Sequence, residues 1–222
     1  MQALVTGATG FVGPRLLRML DRPVVLTRDP ERARATIGHL AGRIVGWDSR
    51  QGPPPASALE GIDTVFHLAG ESVAEGRWTP AQKQRIRDSR VIGTRHLVQG
   101  IRQASARPAV LVSASAVGYY GNRGDDELTE SAVAGRDFLA EVCVAWEEEA
   151  LTAREMGVRV VTARTGIVLG AGGGRLERCS SHSNWVPGAR WGAESSGCPG
   201  SMSPTWRGST TMPPRLPRST AR

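Results

Sequence analysis

The strongest constraint on this chain is a glycine run, Thr6-Gly7-Ala8-Thr9-Gly10-Phe11-Val12-Gly13, between an apolar stretch and an amphipathic one. Residues 2–6 (QALVT) read as a short buried strand. From Phe11 to Leu20, apolar residues fall at helical spacing: Phe11, Val12, Leu16, Leu17, Met19 and Leu20. Val24, Val25 and Leu26 then form a second strand. Spaced glycines gain meaning in this strand–turn–helix–strand setting. Gly7 and Gly10 let the backbone turn tightly and approach a pyrophosphate where a Cβ would obstruct it. Gly13 lets helix and strand pack closely, and the helix N-terminus offers free N–H groups and positive dipole to phosphate. The segment Thr6, Gly7, Thr9, Gly10, Phe11, Val12 and Gly13 therefore reads as a dinucleotide-phosphate loop. A tight turn with no ligand is the plain alternative, and the flanking elements weigh against it.

The alternation continues for about 160 residues. Pro30 to Thr36 suits a short helix with proline at a tolerated first-turn position. Further strands are expected at 43–47, 63–68, 109–113 and 158–163, and helices at about 80–104 and 137–156. Ile86, Val91, Ile92, Leu97, Val98 and Ile101 make a plausible inner face for the longer helix. Near-continuous apolar strands between helices predict a parallel sheet buried on both sides. The fold class is thus α/β, a Rossmann-type doubly wound parallel sheet with helices on both faces. It spans residues 1–174 as an NADP-binding domain. After Gly174 the pattern stops, and residues 175–222 read as an irregular tail, expected to be disordered.

The net charge of +7 suggests nucleic acid until it is divided. Residues 1–174 carry only +2, and the tail supplies +5 through scattered arginines with no helical stripe. A groove binder needs its charge gathered on one face, so nucleic acid is not an expected partner. No apolar run approaches the roughly 18 residues of a membrane span. Met1 leads almost directly into a strand, which points to the cytoplasm. Cys143, Cys179 and Cys198 have neither metal-ligand spacing nor even number. No metal is expected.

The end of the second strand selects the cofactor. NAD enzymes usually present an acid there, about 20 residues beyond the glycines, to hold the ribose 2′-OH. Here Thr27-Arg28 stands in that place. A guanidinium pairs with a 2′-phosphate, so NADP(H) is favoured over NAD(H). A solvated Arg28 is the alternative, with Asp29 taking the ribose.

The glycine loop has companions in His67-Leu68-Ala69-Gly70 after strand four and Ser113-Ala114-Ser115-Ala116-Val117-Gly118-Tyr119-Tyr120-Gly121 after strand five. Together they resemble the extended short-chain dehydrogenase/reductase superfamily. More narrowly, the chain is similar to its atypical "epimerase family protein" branch. Gly76-Arg77-Trp78-Thr79, Ser89-Arg90-Val91-Ile92-Gly93-Thr94, Phe138-Leu139-Ala140 with Trp146-Glu147, and Arg164-Thr165-Gly166-Ile167-Val168-Leu169-Gly170 carry the same resemblance. It covers about residues 1–174 and implies an epimerase/dehydratase-like oxidoreductase acting on a small molecule. Leu68, Ala69 and Gly70 would line the nucleotide. A hydroxyl at Ser115 would hydrogen-bond the reacting oxygen, and the segment after Arg164 would pass the nicotinamide.

The usual Tyr-x-x-x-Lys pair of that superfamily, in which the lysine lowers the tyrosine pKa, is missing. Leu139 and Cys143 stand at its expected positions, and Lys83, the only lysine, lies on another helix. Tyr119 is the candidate acid, although both loop tyrosines could simply pack there. Ser115 has an equally plain reading as a strand-end hydroxyl tied to backbone. His67 reads as structural. Glu71 and Arg77 are candidate substrate contacts, with surface loop charge as the alternative. A non-catalytic NADP(H)-sensing module is therefore the rival function.

The tail also departs from the resemblance. Permissible codons for Arg178 to Trp206, read one nucleotide earlier, can spell MLLPFKLGAGGPVGSGKQWMSWIHVADL, which is similar to this family's continuation. A single-nucleotide frameshift near residues 174–178 is the expectation, and an inactive product is the third reading. Sheet surface left bare by the lost part would be apolar.

Overall fold

The computed structural model describes residues 1–74, 77–170 and 173–174. The tail after Gly174, with Cys179, Cys198 and the frameshift boundary, lies outside the described residues, as does Gly76.

Six strands form one parallel sheet: β1 (Ala3–Thr6), β2 (Val24–Thr27), β3 (Arg43–Gly46), β4 (Thr64–His67), β5 (Val110–Ala116) and β6 (Arg159–Thr165). Their spatial order is β3-β2-β1-β4-β5-β6. The helices are α1 (Gly13–Leu17), α2 (Pro30–Ile37), α3 (Pro80–Gln103) and α4 (Phe138–Leu151). Leu169–Gly170 and Gly173–Gly174 form a separate antiparallel pair.

Strand side chains alternate between faces, so each strand feeds two cores. Leu4, Leu26, Val65, Leu111 and Val160 join Leu97 and Ile101 of α3 and Ala150 of α4 on one face. Val5 and Val25 meet Leu17 of α1 and Ala33 and Ile37 of α2 on the other. On the latter face Val161 of the edge strand β6 is exposed. The expected inner face of α3 is buried at Ile86, Val91, Leu97, Val98 and Ile101, while Ile92 is half-buried.

Two elements differ from the sequence expectation. The first helix is limited to Gly13–Leu17 rather than 11–20. Its end tightens through i→i−3 bonds, Met19 N–H to Leu16 O and Leu20 N–H to Leu17 O, and Met19 is exposed. The chain must reverse at once to reach β2, and Arg22, at φ 42°, and Pro23 make that corner. The fifth strand runs on to Ala116, because β6 pairs with it over all seven residues. Ser115 is therefore inside the sheet rather than in the loop beyond it.

Candidate functional site

β1 sits where the sheet changes direction: β2 follows on one side and β4 on the other. A crevice opens beyond the strand ends at such a switch point. Here it is a cleft of about 230 Å³ lined by Thr6 to Gly10, Leu26 to Arg28, Leu68 to Glu71, and by Trp47, Ser49, Arg50, Arg85 and Ser89.

The glycine loop needs its glycines for reasons visible in the packing. Gly7 has φ 70°, and a Cβ there would lie 2.7 Å from the Leu68 and Ala69 backbone. A Cβ on Gly13 would come within 2.1 Å of the Ala8 carbonyl oxygen. The loop is thus a cradle that side chains would fill.

Under it lies a buried hydrogen-bonded chain. The Ala69 amide donates to Thr6 Oγ1 at 3.2 Å, and Thr6 Oγ1 lies 2.7 Å from His67 Nδ1. His67 Nε2 is 3.0 Å from Thr94 Oγ1 on α3. Both hydroxyls can donate or accept, so either neutral tautomer of the ring keeps both hydrogen bonds. Burial lowers the His67 pKa from 6.5 to about 4. The imidazole is neutral near pH 7, and it ties β1, β4 and α3 together beneath the loop.

That shift has a testable sign. Below pH 6.5 the unfolded imidazole takes up a proton that the folded one refuses until about pH 4. Stability present above that window is lost as pH falls through it. His67 is expected to contribute a fall of about 2 kcal/mol between about pH 7 and pH 4.5. Urea melts of wild type and His67→Gln at both pH values check this. An identical pH dependence in the two proteins would remove His67 as the cause.

At the end of β2, Arg28 is exposed and lines the cleft. The neighbouring Asp29 caps α2 instead, accepting the Arg32 amide at 3.0 Å. After β3, the Asp48 carboxylate accepts from Arg50 Nε at 3.2 Å and Nη2 at 3.1 Å. The Arg50 hydrogen bonds hold its pKa at about 2.

A second centre occupies the ends of β5 and β6. Ser115 and Arg164 are register partners. Both reach Glu147 of α4: Ser115 Oγ donates to Oε1 at 2.6 Å, Arg164 Nε to Oε1 at 2.8 Å, and Arg164 Nη2 to Oε2 at 2.8 Å. Arg164 Nη1 also donates to the Tyr120 hydroxyl at 3.0 Å and the Glu130 carbonyl at 3.0 Å. Its Cζ lies 3.4 Å from the Tyr119 ring centroid. Glu147 raises the Arg164 pKa above its already high ordinary value.

Of the residues singled out from sequence, Thr6, Gly7, Thr9, Gly10, Arg28, Leu68, Ala69, Gly70 and Glu71 line the cleft. Phe11 and Val12 follow it in the loop, and Gly13 opens α1. Phe11 packs under the Arg15 guanidinium, and Val12 is the N-cap residue of α1. Ser115, Tyr119 and Arg164 form the second centre, outside the cleft lining. Arg77 is exposed on the approach to α3. Lys83 lies over the Phe138 ring, 5.2 Å from its centroid, and burial raises the Cys143 thiol pKa.

Sequence reasoning missed Trp47, Ser49, Arg50, Arg85 and Ser89. The first three follow β3, and in a parallel sheet every strand ends on the same side, which was the available signal. Arg85 and Ser89 are one helical turn apart on α3, on a polar face shared with Gln82 and His96.

Among the described residues no group of acids, histidines and cysteines could hold a metal, and no helix is long and apolar enough to cross a membrane. The NAD dependent epimerase/dehydratase family matches residues 3–186. An epimerase family protein of Mycobacterium bovis is 40% identical over 192 residues, 85% of this chain and 61% of that protein. The chain thus spans about three-fifths of that relative's length. Solved structures with the same fold include two relatives. One is a nucleoside-diphosphate sugar epimerase from Corynebacterium glutamicum, 33% identical, with TM-score 0.65 over 86% of this chain and 40% of that one. The other is a human epimerase family protein with NADPH, 28% identical, with TM-score 0.66 over 82% of this chain and 59% of that one.

Proposed function

Because the chain belongs to the NAD dependent epimerase/dehydratase family, we propose that it binds NADP(H) and acts as an epimerase/dehydratase-like oxidoreductase on a small molecule. The observation that carries the cofactor choice is the end of β2. Arg28 faces solvent in the cleft, and the adjacent Asp29 is outside the cleft lining, its Oδ1 capping α2. A ribose 2′-OH finds no acid lining the cleft at this strand end, whereas a 2′-phosphate finds a guanidinium. The similar human protein, solved with NADPH, supports the same choice.

In this reading Gly7 to Gly13 hold the pyrophosphate, and Leu68, Ala69 and Gly70 lie along the nucleotide. Bound NADPH supplies the hydride. Ser115 and Tyr119 are the proposed groups near the reacting oxygen, with Arg164 beside them. Glu71 and Arg77 are the proposed substrate contacts. In this reading the NADP-binding domain ends at residue 174, and a single-nucleotide frameshift follows it. Sequencing the gene tests the latter: stop codons or unrelated residues in the shifted frame would end it.

The test is a titration of the 222-residue chain with NADPH and NADH, followed by tryptophan fluorescence. NADPH is expected to bind more tightly, and Arg28→Ala to weaken NADPH about tenfold while leaving NADH within about twofold. Equal affinities in the wild type would defeat the cofactor choice.

A second reading is a module that senses NADP(H) without turnover. One geometric observation favours it: Ser115, Glu147, Arg164 and Tyr120 satisfy one another. NADPH oxidation with a panel of carbonyl compounds separates the two. Turnover abolished by Ser115→Ala supports the oxidoreductase, and tight binding with none supports the sensor.

A further inference from the structure

We propose that Arg50, held by Asp48, is a second specificity-determining cation for the adenosine 2′-phosphate, beside Arg28. The inference rests on the NADP(H) reading and adds a residue from another strand to it.

β3 ends against β2: Thr27 and Gly46 are register partners, and the Trp47 amide donates to the Thr27 carbonyl at 2.8 Å. The segments leaving these two strands therefore enter the same cleft, one as Thr27–Arg28 and the other with Trp47, Ser49 and Arg50. Trp47 anchors the second segment, being buried with its indole N–H donating to Gly52 O at 2.9 Å. His96 of α3 fixes it further, with Nδ1 2.7 Å from Ser49 O.

Asp48 is an acid of the type that holds a ribose diol, but its acceptor positions are taken. It receives Arg50 Nε and Nη2, the Arg50 amide at 3.1 Å, and Gln51 Nε2 at 3.0 Å. A carboxylate offers about four lone-pair sites, so little capacity remains for a sugar hydroxyl. The same contacts orient the guanidinium through Nε and Nη2 and leave Nη1 to donate elsewhere. Glu71, also lining the cleft, acts on Arg50 by charge alone. It opposes an incoming phosphate, but without a hydrogen bond to the fork.

The result is a cleft end lined by two arginines, with Asp48 engaged by Arg50 and Gln51 and Asp29 outside the lining, capping α2. A phosphate dianion gains from both forks there, and a neutral hydroxyl gains little. Because Arg50 is exposed, the gain is screened by salt and is expected to be moderate.

Calorimetric titration of the full 222-residue chain with adenosine 2′,5′-bisphosphate, AMP, NADPH and NADH tests this. Arg50→Ala is expected to weaken the two 2′-phosphorylated ligands about tenfold and to leave AMP and NADH within about twofold. Arg50→Lys should recover part of the loss, since charge remains but the fork is gone. Asp48→Asn, which keeps Arg50 but loosens its orientation, should give an intermediate loss. Thermal melts without ligand confirm that each variant folds. The proposal is overturned if Arg50→Ala affects both ligand classes equally or neither, while Arg28→Ala alone removes the preference. A wild type with no preference for the 2′-phosphate defeats the NADP(H) reading itself, and this inference with it.

Discussion

Gly13→Ala is expected to lower stability by about 3 kcal/mol, the upper part of the overpacking range, and to weaken NADPH binding at least about a hundredfold. The added methyl would stand 2.1 Å from Ala8 O, 2.4 Å from its carbonyl carbon and 2.6 Å from its Cα. All three are main-chain atoms of the loop proposed to hold the pyrophosphate, so no side chain can swing away. Either α1 or the loop must shift, and both supply that subsite. Gly38→Ala is the control, because its Cβ would meet nothing closer than 3.9 Å. Denaturant melts and NADPH titration of both variants check the expectation. A Gly13→Ala protein as stable and as tight-binding as Gly38→Ala would show that the close packing of loop and helix is dispensable.

A comparable stability loss, about 3 kcal/mol, is expected from Glu147→Ala, because it leaves the part-buried Arg164 guanidinium without its carboxylate. Side-chain exposure is 8% for Glu147 and 17% for Arg164. Without the carboxylate, Arg164 keeps the Tyr120 hydroxyl, the Glu130 carbonyl and the Tyr119 ring, and Ser115 loses its acceptor. Replacing both partners at once, as Glu147→Leu with Arg164→Met, is expected to cost much less than the two single losses added together. Urea melts of the double-mutant cycle measure the coupling. Additive losses would mean that the two groups stand independently, and that Ser115 is not positioned through this pair. The cycle therefore also bears on function, since Ser115 is the hydroxyl proposed near the reacting oxygen.

The order of elements was legible because it is written in local pattern. Apolar strands, the glycine turn and the helical spacing of Ile86, Leu97 and Ile101 each need only a few neighbouring residues to be read. Arg28 was legible for the same reason, since its place depends only on the end of β2. The short α1 was not, because its length is set by the corner at Arg22 and Pro23 that aligns β2 with β1. Ser115 was placed beyond the strand because nothing local announces that β6 will pair with β5 as far as Ala116.

Residue pattern alone was enough to give an α/β sheet with a glycine loop at the end of β1 and a basic residue, rather than an acid, at the end of β2. Only the tertiary structure decided which charges are spent and which are free. Asp29 caps a helix, Asp48 holds Arg50 at the cleft, and Glu147 gathers Ser115 from β5 and Arg164 from β6. The physical reason is range. Propensity and periodicity act over a few residues, but a carboxylate's partner is whatever the fold brings within about 3 Å. Glu147 finds one partner 32 positions before it and another 17 after it.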